Sequence, residues 1–172
     1  IAFFGYLDAI YTDEEGITHI VDYKTSSKSG FSGKGLKEKS KQLMLYACAI
    51  SQLKKIPLER INLRFDMMKY VNVWFQQKNG KMKSTTQERQ KWVAGIEKKI
   101  RKQLVDLDID FFEIDIMVQN AILSNSLVGL PKEVQDSYTL TNCYIDVNID
   151  EEDAKILKEF LITNVRECEE KE

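Results

Sequence analysis

The chain has 172 residues, 43% of them apolar and 30% charged, with a formal net charge of −2. That length supports one packed domain. The charge excludes a uniformly basic polyanion binder, and no apolar run reaches the roughly 20 residues that cross a bilayer.

Residues 2–11 (AFFGYLDAIY) are apolar and aromatic apart from Gly5 and Asp8, and they predict a strand. TDEEG (12–16) is a turn by composition, and ITHIVDYKT (17–25) is a second strand, so the two make an antiparallel hairpin. SSKSGFSGKG (26–35) predicts a flexible loop. It is not a P-loop, because Gly35 is followed by Leu36 and not by Lys and Ser/Thr. In a helix from about Leu36 to Lys55, the apolar residues Leu43, Tyr46, Ala47, Ile50 and Leu53 fall at helical spacing, and Pro57 stops it. Residues 61–75 read as one long or two short strands, and Asn79-Gly80 is a hairpin-type turn signal.

A long helix is expected from about Thr86 to Leu104, with Trp92, Ile96 and Ile100 inward. Another helix covers 111–128, and Pro131 marks a break. Residues 138–147 are strand-like. An amphipathic helix runs from Glu151 to about Cys168, capped by Asp150. The order of elements implies an α/β fold of the α+β mixed kind, with a small central mixed sheet flanked by helices, in a single domain over 1–172.

Cys48, Cys143 and Cys168 are odd in number and widely spaced, which points to reduced thiols in a cytoplasmic setting. With no CxxC and one histidine, a structural zinc site is not expected. Asp106, Asp108, Asp110, Glu113 and Asp115 lack the glycine and terminal glutamate of a calcium loop and read as a solvated segment. Trp74 and Trp92 are expected in the core.

The chemistry concentrates near the N-terminus. In a strand, residues two apart share a face, so Asp22 and Lys24 stand side by side while His19 faces away as a packed strand residue. A hairpin turning near residue 14 or 15 brings Asp8 opposite residues 20–22. Two converging carboxylates repel unless a cation lies between them, and oxygen ligands suit Mg²⁺ or Mn²⁺. Gln42 and Tyr46 are four apart and share a helix face. From Lys24 to Lys41 there are six lysines and one acid, a local basic surface that suits phosphate. The basic side of the helix at 88–102 is a second candidate to track such a backbone.

Gly5-Tyr6-Leu7-Asp8, Asp22-Tyr23-Lys24-Thr25 and Gln42-Leu43-Met44-Leu45-Tyr46 together resemble the PD-(D/E)xK nuclease superfamily. Its RecB-like branch, which includes phage exonucleases, carries G-x-x-D, D-x-K and Q-x-x-x-Y in that order. The resemblance covers residues 5–46. It implies a restriction-endonuclease-like core and a metal-dependent DNA nuclease, an exonuclease of recombination, repair or phage DNA processing. Its setting would be the cytoplasm of a bacterium or of a phage-infected host.

On that resemblance Asp8, Asp22 and the backbone carbonyl of Tyr23 bind Mg²⁺ or Mn²⁺. Lys24 is the catalytic lysine, and Gln42 and Tyr46 support it. Lys28, Lys34, Lys37 and Lys41 hold the DNA backbone. DNA is the partner, without a membrane; a recombination or replication protein and an oligomer are both compatible. A helix with His or Glu, which many such members carry upstream of the first motif, is expected to lie before Ile1. The cysteine spacing argues against an iron–sulfur cluster. Two alternatives stay open: a non-catalytic DNA-binding or assembly module with the nuclease fold, and a structure-specific endonuclease.

Overall fold

A computed structural model describes residues 5–77, 79–148, 153, 155–157, 159 and 162. The chain divides into two compact units, residues 1–66 with 144–172, and residues 67–143. The elements form a mixed α/β arrangement with a five-stranded sheet in the order β1-β2-β3-β4, and β5 also paired to β3. Among the described residues no helix is long and apolar enough to cross a membrane.

In the first unit, β1 (Ala9–Thr12) and β2 (Thr18–Lys24) form the expected antiparallel hairpin, with Ala9 opposite Val21 and Thr12 opposite Thr18. Its turn is tied by Asp13. The Asp13 carboxylate accepts from the Ile17 amide at 2.8 Å and lies 2.6 Å from His19 Nε2. The His19 contact holds the Asp13 carboxyl below its usual range. His19 itself is buried and stacks on Tyr11, 4.7 Å between ring centroids, away from Asp22 and Lys24.

The predicted first strand is shorter than its apolar run. Residues 2–4 lie outside the described residues, and 5–8 are not strand. The reason lies at Asp8: its side chain, not a strand carbonyl, takes the Tyr23 amide.

α1 (Gly33–Lys54) begins three residues earlier than expected, its first ladder bond running from the Leu36 amide to the Ser32 carbonyl. It ends at Lys55, whose left-handed φ of 54° closes the last turn ahead of Pro57. Leu43, Met44, Ala47 and Ile50 form its buried face. Ile20, Val21, Leu63 and Phe65 of the same unit are likewise nearly inaccessible to solvent. β3 (Ile61–Gln76) is one long strand that continues into the second unit.

In the second unit β3 turns through Gly80 (φ +80°) into β4 (Met82–Glu88), with Trp74 opposite Ser84 and Asn72 opposite Thr86. This corrects the predicted helix, which was expected to start at Thr86. The helical stretch is also broken: α2 (Trp92–Gly95) and α3 (Glu97–Asp106) meet at Ile96. Gly95 lies so close to the Gln87 side chain that a Cβ would overlap it. Trp92, Ile96 and Ile100 do point inward, as expected. Trp74 is only half-buried and donates through Nε1 to Thr141 Oγ1 at 2.9 Å.

α4 (Phe111–Ser124) is capped by Asp110 and ended by Asn125 in the left-handed region, four residues short of the expected 128. Pro131 opens the short α5 (Lys132–Asp136), and β5 (Tyr138–Val147) is the expected last strand. Burial pushes the Tyr138 phenol up to about 12. Arg101 binds Glu97 at 2.7 Å and Asp115 as well, and both raise its guanidinium further. Asp150, expected to cap a last helix, and that helix beyond 162 lie outside the described residues, while residues 153, 155–157, 159 and 162 are helical.

Candidate active site

The hairpin register carries the first motif onto the second. Continuing the pairing one step beyond Ala9 and Val21 sets Asp8 against Asp22. The Tyr23 amide donates to Asp8 Oδ2 at 2.9 Å, so the Asp8 carboxylate is anchored to the backbone of the neighbouring strand. Alternation along β2 then does what it must: Asp22 and Lys24 project on one face, and Lys24 Nζ lies 2.8 Å from Asp22 Oδ1. Below them is the aromatic ring of Phe65, with Lys24 Nζ 5.7 Å from its centroid.

α1 supplies the other wall. Gln42 and Tyr46, one helical turn apart, are joined by a bond from Gln42 Nε2 to the Tyr46 hydroxyl at 2.7 Å. The tyrosine oxygen accepts there, so its own proton is available to another acceptor. Asp8, Asp22, Tyr23, Lys24, Gln42 and Tyr46 all line one cleft of about 190 Å³. Tyr6, Leu7, Val21 and Leu43 complete its lining, none of which was given a role in the site from the sequence.

Gly5 gains a reason it lacked as a bare motif letter. A Cβ there would stand 2.6 Å from Tyr46 Cε1 and 2.8 Å from the Tyr46 hydroxyl oxygen. The glycine lets the strand approach pass over the tyrosine ring. Gly5→Ala is therefore expected to displace Tyr46 and lower cleavage about 10–100-fold, since small misplacements at a reacting centre are costly. The melting temperature should barely move, because Gly5 is exposed. Paired rate and melting measurements check this.

The four lysines read as backbone contacts do not line the cleft. Lys28 starts a short 3-10 turn, and Lys34, Lys37 and Lys41 share a face of α1. Lys41 pairs with Glu38 at 2.8 Å, Lys37 lies 3.5 Å from Asp153, and Lys34 is exposed.

The donor set fits a hard divalent cation. The cleft offers the carboxylates of Asp8 and Asp22 beside the Tyr23 backbone, and Mg²⁺ is commonly held by one or two carboxylates with waters and substrate phosphate filling the rest. Among the described residues no group of three His, Cys, Asp or Glu side chains gathers.

A family model of the PD-(D/E)XK nuclease superfamily matches residues 1–116, about two-thirds of the chain. No curated protein and no solved structure matches it. The matched span contains the hairpin, α1 and every residue of the cleft. The chain thus belongs to the PD-(D/E)XK nuclease superfamily.

Proposed function

We propose that this nuclease hydrolyses DNA phosphodiester bonds with a divalent metal, as an exonuclease in recombination, repair or phage DNA processing. The observation that carries the reading is the convergence of Asp8, Asp22 and Lys24 with the Gln42–Tyr46 pair in one polar cleft. Asp8, Asp22 and the Tyr23 carbonyl would hold Mg²⁺ or Mn²⁺, which when bound supplies Lewis acidity at the scissile phosphate.

The chain's own groups do the rest. Lys24, held by Asp22, orients the attacking water and offsets the charge that grows on the phosphate. Tyr46, fixed by Gln42, donates its proton to a phosphate oxygen or to that water. Lys28, Lys34, Lys37 and Lys41 hold the DNA backbone, which makes binding salt-dependent and largely indifferent to sequence.

The exonuclease reading is tested with linear duplex DNA, linear single strands and a covalently closed circle of the same sequence. Digestion of the linear forms with the circle left intact is expected. Nicking of the circle at a comparable rate would replace the exonuclease by an endonuclease on the same fold. A non-catalytic DNA-binding module is the second reading, favoured by the small carboxylate share of the cleft. It requires DNA binding without cleavage in any metal.

A further inference from the structure

From residue 67 to residue 87 the chain carries lysines at 69, 78, 81 and 83 and no acid. The stretch takes in the later part of β3, the Gly80 turn and most of β4, all in the second unit. Such a concentration of one sign stands out on a chain of net charge −2.

Two bases of this unit converge on one ring. Lys83 is the ladder partner of Phe75, and directly opposed residues put their side chains on the same face of the sheet. From α3, Lys99 Nζ reaches the same ring, 4.8 Å from its centroid. Tyr138 packs against that ring from β5, 6.5 Å between centroids. Lys81 stands two residues before Lys83, and Lys102 shares a side of α3 with Lys99, three positions on. All four lysines are exposed, and Asp106, one turn beyond Lys102, ends the stripe.

The neighbouring acids are committed elsewhere. Glu88 pairs with Lys91 at 3.1 Å, and Glu97 and Asp115 are both held by Arg101. Among the described residues no carboxylate lies within ion-pair distance of Lys81, Lys83, Lys99 or Lys102. A cation over an exposed ring gains only about 0.5–1 kcal/mol, and a second cation beside it is repelled. Ammonium groups clustered without an internal counter-charge favour an external anion between them. A line of four suits a chain of phosphates better than a single small ion.

We propose that Lys81, Lys83, Lys99 and Lys102 form a second contact with the DNA phosphate backbone, centred on the Phe75 ring. None of them lines the cleft. DNA is favoured over an acidic protein segment because the nuclease family match over residues 1–116 includes all four. Lysine presents a point charge to phosphate, so the surface adds grip and no choice of sequence. The proposal rests on DNA as the substrate and not on the roles of Asp8, Asp22 or Lys24.

Anisotropy of a labelled duplex with the full chain, titrated with salt in chelator, tests it, because binding is read there without cleavage. Lys83→Gln and Lys99→Gln are each expected to lower the slope of log affinity against log salt by about one, and the double variant by about two. The loss should be equal on two unrelated sequences, with melting temperatures unchanged because both residues are exposed. Lys83→Arg should keep the wild-type slope. So should Lys132→Gln, since Lys132 is already neutralised by Asp136 at 2.8 Å. A double variant with the wild-type slope, or a Lys132→Gln loss as large as that of Lys83→Gln, would overturn the proposal. Polyglutamate that displaces the duplex at equal charge concentration from the wild type, and not from the double variant, would assign the surface to an acidic protein segment instead. A wild type that binds no DNA would overturn this proposal and the nuclease reading together. The expected slopes in a protein that cleaves nothing would support this surface and strike only the reading of the cleft.

Discussion

Lys24→Met is expected to slow cleavage about 10²–10⁴-fold, the range in which positioned proton-handling groups act. The argument is geometric. Lys24 Nζ is 2.8 Å from Asp22 Oδ1, in the cleft that also holds Asp8 and Tyr46. Its aliphatic stem has a close match in methionine, so packing against the Phe65 ring survives while the ammonium is lost. Removing a cation from beside two carboxylates leaves their affinity for a divalent metal equal or higher. The loss should therefore fall on kcat, with Mn²⁺ binding and DNA binding retained. A variant whose rate returns at high metal concentration would show Lys24 to be a structural counter-charge only.

Phe65→Ala carries the largest expected effect on stability, about 3–5 kcal/mol by comparison with other buried phenylalanine truncations. Phe65 is fully buried. Its ring meets Phe31 edge-on at 5.0 Å and forms the floor under Lys24. The truncation opens a cavity in a close-packed core, in which Ile20, Leu43 and Leu63 are 0–1% exposed, and such cores have little freedom to close a gap. Urea denaturation should show a lower midpoint with an unchanged slope. Cleavage should fall as well, even under conditions where the chain stays folded, because the floor also sets the height of Lys24. A loss below about 1 kcal/mol would mean that the site collapses around the gap.

The convergence of the candidate residues was legible in the sequence for a physical reason. Asp8, Asp22, Lys24, Gln42 and Tyr46 are placed by local rules, namely hairpin register, strand alternation and the helical turn, and each needs only a short stretch of chain. β4 was not recognised, and its end from Thr86 was read as helix, because MKSTTQE has no alternating apolar residues. It is a strand because β3 offers it a ladder, reinforced by the bond from Thr86 Oγ1 to Asn72 Oδ1 at 2.8 Å. The break at Ile96, where φ is −117° and ψ 11°, interrupts an apolar spacing that itself continues from Trp92 to Ile100. The strand start at Ala9 escaped because apolar AFFGYL suggests pairing, whereas Asp8 reaches the next strand with its side chain. Gly5 was recognised only as part of a motif. Its reason, the Tyr46 ring 41 positions later in the chain, exists only in three dimensions.

The most direct measurement is DNA cleavage by the wild type, Asp8→Ala and Asp22→Ala, each assayed in Mg²⁺, in Mn²⁺ and in chelator, beside calorimetric Mn²⁺ titration of the same proteins. Cleavage by the wild type in metal alone is expected, with a loss of about 10³-fold and weakened Mn²⁺ binding in both variants. Equal cleavage in wild type and Asp22→Ala, or a folded wild type that binds Mn²⁺ and DNA yet leaves every substrate intact, would contradict the assignment of this cleft as the nuclease centre.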